Sequence, residues 1–108
     1  MSTHEIGKEL ENYVCEKFKE IGLNAYPSNG SGNKGSVGDI SGVPFGIECK
    51  KRNTKDITIK EEIWNKLVNE IPLSSERKPL YILENKNKKR WVCMDINDFF
   101  NLIGGKND

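Results

Sequence analysis

At 108 residues and 12.3 kDa, with 35% hydrophobic and 31% charged residues, the chain is sized for one small domain over 1–108 with a modest core. No apolar stretch approaches the ~20 residues of a membrane span, and the polar, acidic start "MSTHEIGKELE" is unlike a secretory signal. A net charge of +1 does not by itself announce a nucleic-acid partner, but the charges are unevenly spread. Lys50, Lys51, Arg52 and Lys55 form one basic cluster, and Lys86, Lys88, Lys89 and Arg90 form another.

In chain order, Ile6, Leu10, Tyr13, Val14, Phe18 and Ile21 have the spacing of an amphipathic helix over 5–21, which Gly22 stops. "LNAYPS" is a short extended run broken by Pro27. The Gly-, Ser- and Asn-rich stretch "SNGSGNKGSVG" (28–38) is a loop, and it lacks the GK[ST] ending of a P-loop, so no nucleotide cofactor is expected. A hairpin follows, with strands near 38–42 and 45–50 and a turn at Val43-Pro44. In "TIKE", Thr58 and Glu61 have the spacing of a capping box opening a second helix, with Ile59, Ile63, Trp64, Leu67, Val68 and Ile71 on one side. "PLYILE" and "RWVCMD" read as a second hairpin, and Asp95 caps a last helix ending at Gly104. The order α-β-β-β-α-β-β-α predicts an α/β (α+β) fold with a central mixed sheet flanked by helices.

Cys15, Cys49 and Cys93 are odd in number and form no CxxC pair, as expected of reduced thiols in a cytoplasmic protein rather than a zinc site. His4 is the only histidine, which argues against histidine-based chemistry. Strand alternation places Phe45, Ile47 and Cys49 on one face and Glu48 and Lys50 on the other. A turn centred between Val43 and Pro44 sets Asp39 directly opposite Glu48, two like charges that need compensation by Lys50 or a cation. Glu11 borders the apolar stripe of the first helix, a costly place for a carboxylate without a partner. Carboxylates without thiolate or imidazole suit a hard cation, Mg²⁺ or Mn²⁺, which polarises phosphodiester oxygens and activates water. Lys50 beside them is placed to orient the water or offset transition-state charge.

The run of Asp39 followed by Glu48-Cys49-Lys50 resembles the PD-(D/E)XK nuclease superfamily. Within it, "GKELENYVCEKFKEIG" is similar to the first helix of the archaeal-type Holliday junction resolvases and their phage relatives, with Glu11 closing a Gly-x-x-x-Glu pattern. "SNGS" (28–31) matches their Ser-x-Gly-Ser loop, and "KPLYILENKNKKRWVCMDI" looks like their last two strands. The resemblance implies a restriction-endonuclease-like core and an intracellular homodimer that cuts four-way DNA junctions with Mg²⁺ or Mn²⁺. It implies Asp39, Glu48, Glu11 and the Cys49 backbone carbonyl around the metal, Lys50 as the catalytic lysine, and Ser31 (or Ser28) near the scissile phosphate. Asn12 and Pro27 stand where family members often carry arginine, so Lys34, Lys51, Arg52, Lys55, Lys88 and Lys89 are the expected DNA contacts. Two other readings remain: a related nuclease acting on nicked, flapped or duplex DNA, and a non-catalytic DNA-binding module.

Overall fold

The computed structural model describes residues 3–28 and 38–104, with side chains from Lys8 onward. Its elements are α1 (Thr3–Glu20), β1 (Tyr26–Pro27), β2 (Ile40–Ser41), β3 (Phe45–Lys51), α2 (Glu61–Glu70), β4 (Lys78–Glu84), β5 (Arg90–Cys93) and α3 (Ile96–Gly104), in the order the sequence predicts. The main sheet is mixed: β3 runs parallel to β4, and β4 pairs antiparallel with β5. α2 is the crossover that a parallel pair requires. Among the described residues no helix is long and apolar enough to cross a membrane.

The ends of the helices obey local chemistry in two cases and not in a third. At the end of α1, Gly22 has φ 94°, its N–H donates to the Lys19 carbonyl at 3.0 Å, and the Leu23 N–H donates to that of Phe18 at 3.0 Å. These are the paired bonds of a Schellman turn, and Phe18 and Leu23 both pack against the core beside it. Asp95 caps α3 through Oδ1, which accepts the Asn97 N–H at 2.8 Å. The expected capping box at Thr58 does not form: α2 starts at Glu61 with Lys60 at the cap position and no side-chain cap bond. Thr58 lies too far ahead of the first helical turn to reach its amides.

The two faces of the sheet bury different layers. Ile47, Cys49, Leu80 and Ile82 share one face and pack with Leu10, Val14 and Cys15 of α1, together with Ala25, Ile40 and Val43. On the other face, Tyr81 and Leu83 are buried with Leu67 the buried residue of α2. Of the remaining apolar residues of α2, Val68 is 40% exposed, so that face is narrower than the periodicity implied.

The predicted hairpin between β2 and β3 is not made. β2 pairs antiparallel with β1, Tyr26 against Ser41 and Pro27 against Ile40, and so turns away from β3. What meets the free edge of β3 is the short segment ahead of β2, through an isolated parallel bridge between Gly38 and Ile47. Gly38 has φ 73°, and a Cβ there would collide with the Ile47 backbone, so only glycine permits this approach.

Candidate active site

Asp39 reaches the edge of β3 through both its backbone and its side chain. Its N–H donates to the Ile47 carbonyl at 2.6 Å, and its Oδ2 accepts the Cys49 N–H at 2.8 Å. In a parallel ladder one residue spans two bonds, to the residues before and after its neighbour. Asp39 thus sits alongside Glu48, with its carboxylate in place of a carbonyl. Its own carbonyl is turned away and accepts the Ser28 N–H at 2.9 Å. The adjacency expected from a hairpin is reached by a different contact. The N–H and C=O of one strand residue leave on the same side, so the Cys49 carbonyl shares this edge.

Glu48 and Lys50 lie together on the α2 face of β3, with Lys50 Nζ 3.4 Å from Glu48 Oε2. Glu11 comes from α1. Burial, then the charge of Asp39, pushes its carboxyl up to about 7, with Lys8 opposing and Glu48 adding to the rise. Burial also raises the Asp39 carboxyl, against the Cys49 N–H and Lys50, while Glu70 raises it and Lys66 lowers it. Glu48 is raised by burial and by Asp39, with Lys50 opposing and Glu70 adding. Burial thus raises all three carboxyl groups, and the charge of Asp39 adds to the rise at both Glu11 and Glu48.

Glu70 and Lys66 of α2 were not singled out in the sequence, yet their charges reach Asp39. A signal existed: Glu70 follows Leu67 by three residues and so borders the buried side of the helix, the same edge position that drew attention to Glu11.

The donor chemistry suits a hard cation, although among the described residues no group of three or more His, Cys, Asp or Glu side chains is gathered to hold one alone. Mg²⁺ commonly takes one or two carboxylates and completes its shell with water and substrate phosphate, and Asp39, Glu48 and the Cys49 carbonyl fit that pattern. The Cys49 thiol is buried and pushed well above its ordinary range, so it stays protonated and is no ligand. All three cysteines are free. Ser31 and Lys34 lie outside the described residues.

The two basic clusters converge. Lys86 N–H donates to the Thr54 carbonyl at 2.9 Å, and the Asn85 Nδ2 donates to the Lys55 carbonyl at 2.9 Å. Asn85, only 2% exposed, also accepts the N–H groups of Asn87 and Lys89 at Oδ1, shaping the turn that carries Lys88 at φ 63°. Lys55, Lys86, Lys88 and Lys89 thereby form one exposed patch beyond the end of β3. Lys51 belongs elsewhere: on the α1 face, its Nζ is 3.0 Å from Glu84 Oε1, while Arg90 Nε is 2.8 Å from Oε2. Glu84 is 4% exposed, and Arg90 also stacks over the Tyr13 ring at 3.9 Å. No protein-family model matches the chain, and comparison with curated proteins and with solved structures yields no match either.

Proposed function

We propose that the protein is a metal-dependent endonuclease with a restriction-endonuclease-like core, acting on branched DNA and most specifically on four-way junctions. The observation that carries this reading is the placement of Asp39 alongside the Glu48–Lys50 pair, with the Glu11 carboxyl raised to about 7 by burial and then by the charge of Asp39. Like charges held together at partial burial are costly unless a cation or a proton relieves them. Asp39, Glu48 and the Cys49 carbonyl are the groups to hold Mg²⁺ or Mn²⁺, with Glu11 beside them. When bound, such an ion polarises a phosphoryl oxygen and acidifies water.

The chain's own groups do the rest. Asp39 is fixed in direction by the Cys49 N–H, so its second oxygen is held toward the site. Lys50 keeps a positive charge beside Glu48, where negative charge grows on the phosphoryl oxygens as water adds to phosphorus and the bond to the leaving sugar oxygen breaks. The exposed basic patch beyond β3 supplies backbone-phosphate contacts on one side of this centre.

The exposed apolar face of α3 supports the homodimer reading. α3 contributes no buried residue, Phe99, Phe100, Leu102 and Ile103 are 43 to 66% exposed, and Trp91 and Val92 on β5 are exposed as well. Two copies joined there would bring two centres to one substrate.

The test is cleavage of a synthetic four-way junction with Mg²⁺, against linear duplex and flap DNA of matched sequence. Paired nicks in opposed strands of the junction, lost in Asp39→Asn, are expected. Equal or better cutting of duplex or flap would make it a nuclease of another substrate class. Binding of DNA without cutting at any metal concentration would leave only a DNA-binding module.

A further inference from the structure

Lys51 and Arg52 are neighbours in sequence but part company in the sheet. Lys51 points to the α1 face, where Glu84 holds it at 3.0 Å. The Arg52 N–H donates to the Glu84 carbonyl at 2.8 Å, which continues the β3–β4 ladder by one residue. Arg52 therefore falls on the same face as Glu48 and Lys50. Glu, Lys and Arg then form a stripe at alternate positions of one strand, spaced by about 7 Å, a step comparable to that between successive phosphates of a nucleic-acid strand. The stripe runs from the carboxylates toward the basic turn at Lys88.

Tyr81 lies on this face, paired with Glu48 in the ladder and 0% exposed. Its hydroxyl is buried and has no hydrogen-bond partner among the described residues. Buried tyrosine hydroxyls ordinarily find one. Burial raises the Tyr81 phenol above its ordinary range; the Arg52 guanidinium opposes the rise through its charge and its approach to the hydroxyl, and Glu48 adds to it, although that approach falls short of a well-formed hydrogen bond. Full burial keeps the Tyr81 ring off any bound macromolecule. The group its hydroxyl can serve is the guanidinium beside it.

We propose that Arg52 and Tyr81 form a phosphate subsite next to the carboxylates, in which Arg52 grips a backbone phosphate adjacent to the one attacked and Tyr81 positions its guanidinium. This rests on the nuclease reading above for the identity of the ligand. Arginine's planar fork suits two phosphate oxygens at once, and as a phosphate draws the fork into line the Tyr81 hydroxyl accepts one of its remaining N–H groups and fixes its plane. Lys50 serves the attacked phosphate, and Arg52 the next.

The experiment is fluorescence anisotropy of end-labelled four-way junction and linear duplex over a range of salt, in EDTA so that no cutting occurs. Arg52→Gln is expected to weaken binding about tenfold and to lower the log–log salt slope by about one. Arg52→Lys should restore the slope but not the full affinity. Tyr81→Phe should weaken binding about threefold while the thermal midpoint of the DNA-free protein holds or rises, because the hydroxyl has no well-formed bond there to lose. Wild-type affinity in either Arg52→Gln or Tyr81→Phe overturns the proposal. If the unaltered protein binds neither DNA, the subsite and the nuclease reading fall together. If it binds but cuts nothing with Mg²⁺, only the nuclease reading falls.

Discussion

The Asp39 carboxylate stands in for a strand carbonyl, accepting the Cys49 N–H at 2.8 Å on the free edge of β3. One oxygen is thereby committed to the fold and the other is left for chemistry. The two duties separate by substitution. Asp39→Asn keeps an oxygen able to accept this bond, so stability should change by less than about 1 kcal/mol while cleavage is abolished. Asp39→Ala leaves the Cys49 N–H without a partner and should cost about 1–3 kcal/mol as well. Urea denaturation beside junction cleavage checks both.

The raised carboxyl of Glu11 gives stability a sign with pH. Its folded value, about 7, lies above the ordinary 4.5, so the native state binds its proton more tightly than the unfolded chain. That contribution is fully present below about 4.5 and is lost as pH rises through about 7. In metal-free buffer the denaturation midpoint should fall across this window, and Glu11→Gln should flatten the fall. Added Mg²⁺ should stabilise the protein more at pH 8 than at pH 5, since the cation and the proton compete for the same oxygens.

Glu84 ties β3 to β5 through Lys51 and Arg90 while nearly inaccessible to solvent. Removing its carboxylate strands two cations, so Glu84→Ala should destabilise by about 3 kcal/mol. By the same geometry, Lys51→Ala should lower the unfolding midpoint yet change DNA affinity less than twofold, whereas Lys88→Ala should do the reverse. Calorimetry and anisotropy on the same preparations distinguish these outcomes.

No residue of α3 is buried, and Phe99, Phe100, Leu102 and Ile103 all stand exposed. A charge on that face should therefore leave the fold of one copy intact and prevent pairing. Phe100→Glu with Leu102→Glu is expected to give a monomer by sedimentation with an unchanged far-UV spectrum. Its junction cleavage should fall to single-strand nicking, as expected of one centre acting alone.

Much of this was legible in the residues because it depends on local periodicity. The eight elements follow from spacing and breakers, Gly22 and Asp95 act at helix ends as their chemistry predicts, and alternation alone puts Glu48 and Lys50 on one face. Thr58 shows where local reading fails: the motif has the right letters, but α2 begins at Glu61 and the side chain has no amide to meet.

Tertiary structure decided what lies beside what across long stretches of chain. β2 pairs with β1, so Asp39 reaches Glu48 through a parallel edge contact that Gly38 alone allows, and not through the tight hairpin the spacing implied. The basic clusters merge because Asn85 bonds to the backbone of Lys55, and Lys51 and Arg52 serve opposite faces because the ladder continues past Lys51. A sequence specifies which face of a strand a residue occupies, since that depends on two neighbouring peptides. It does not specify which edge receives a neighbour, since that depends on hydrogen-bond partners and packing supplied by residues far away in the chain.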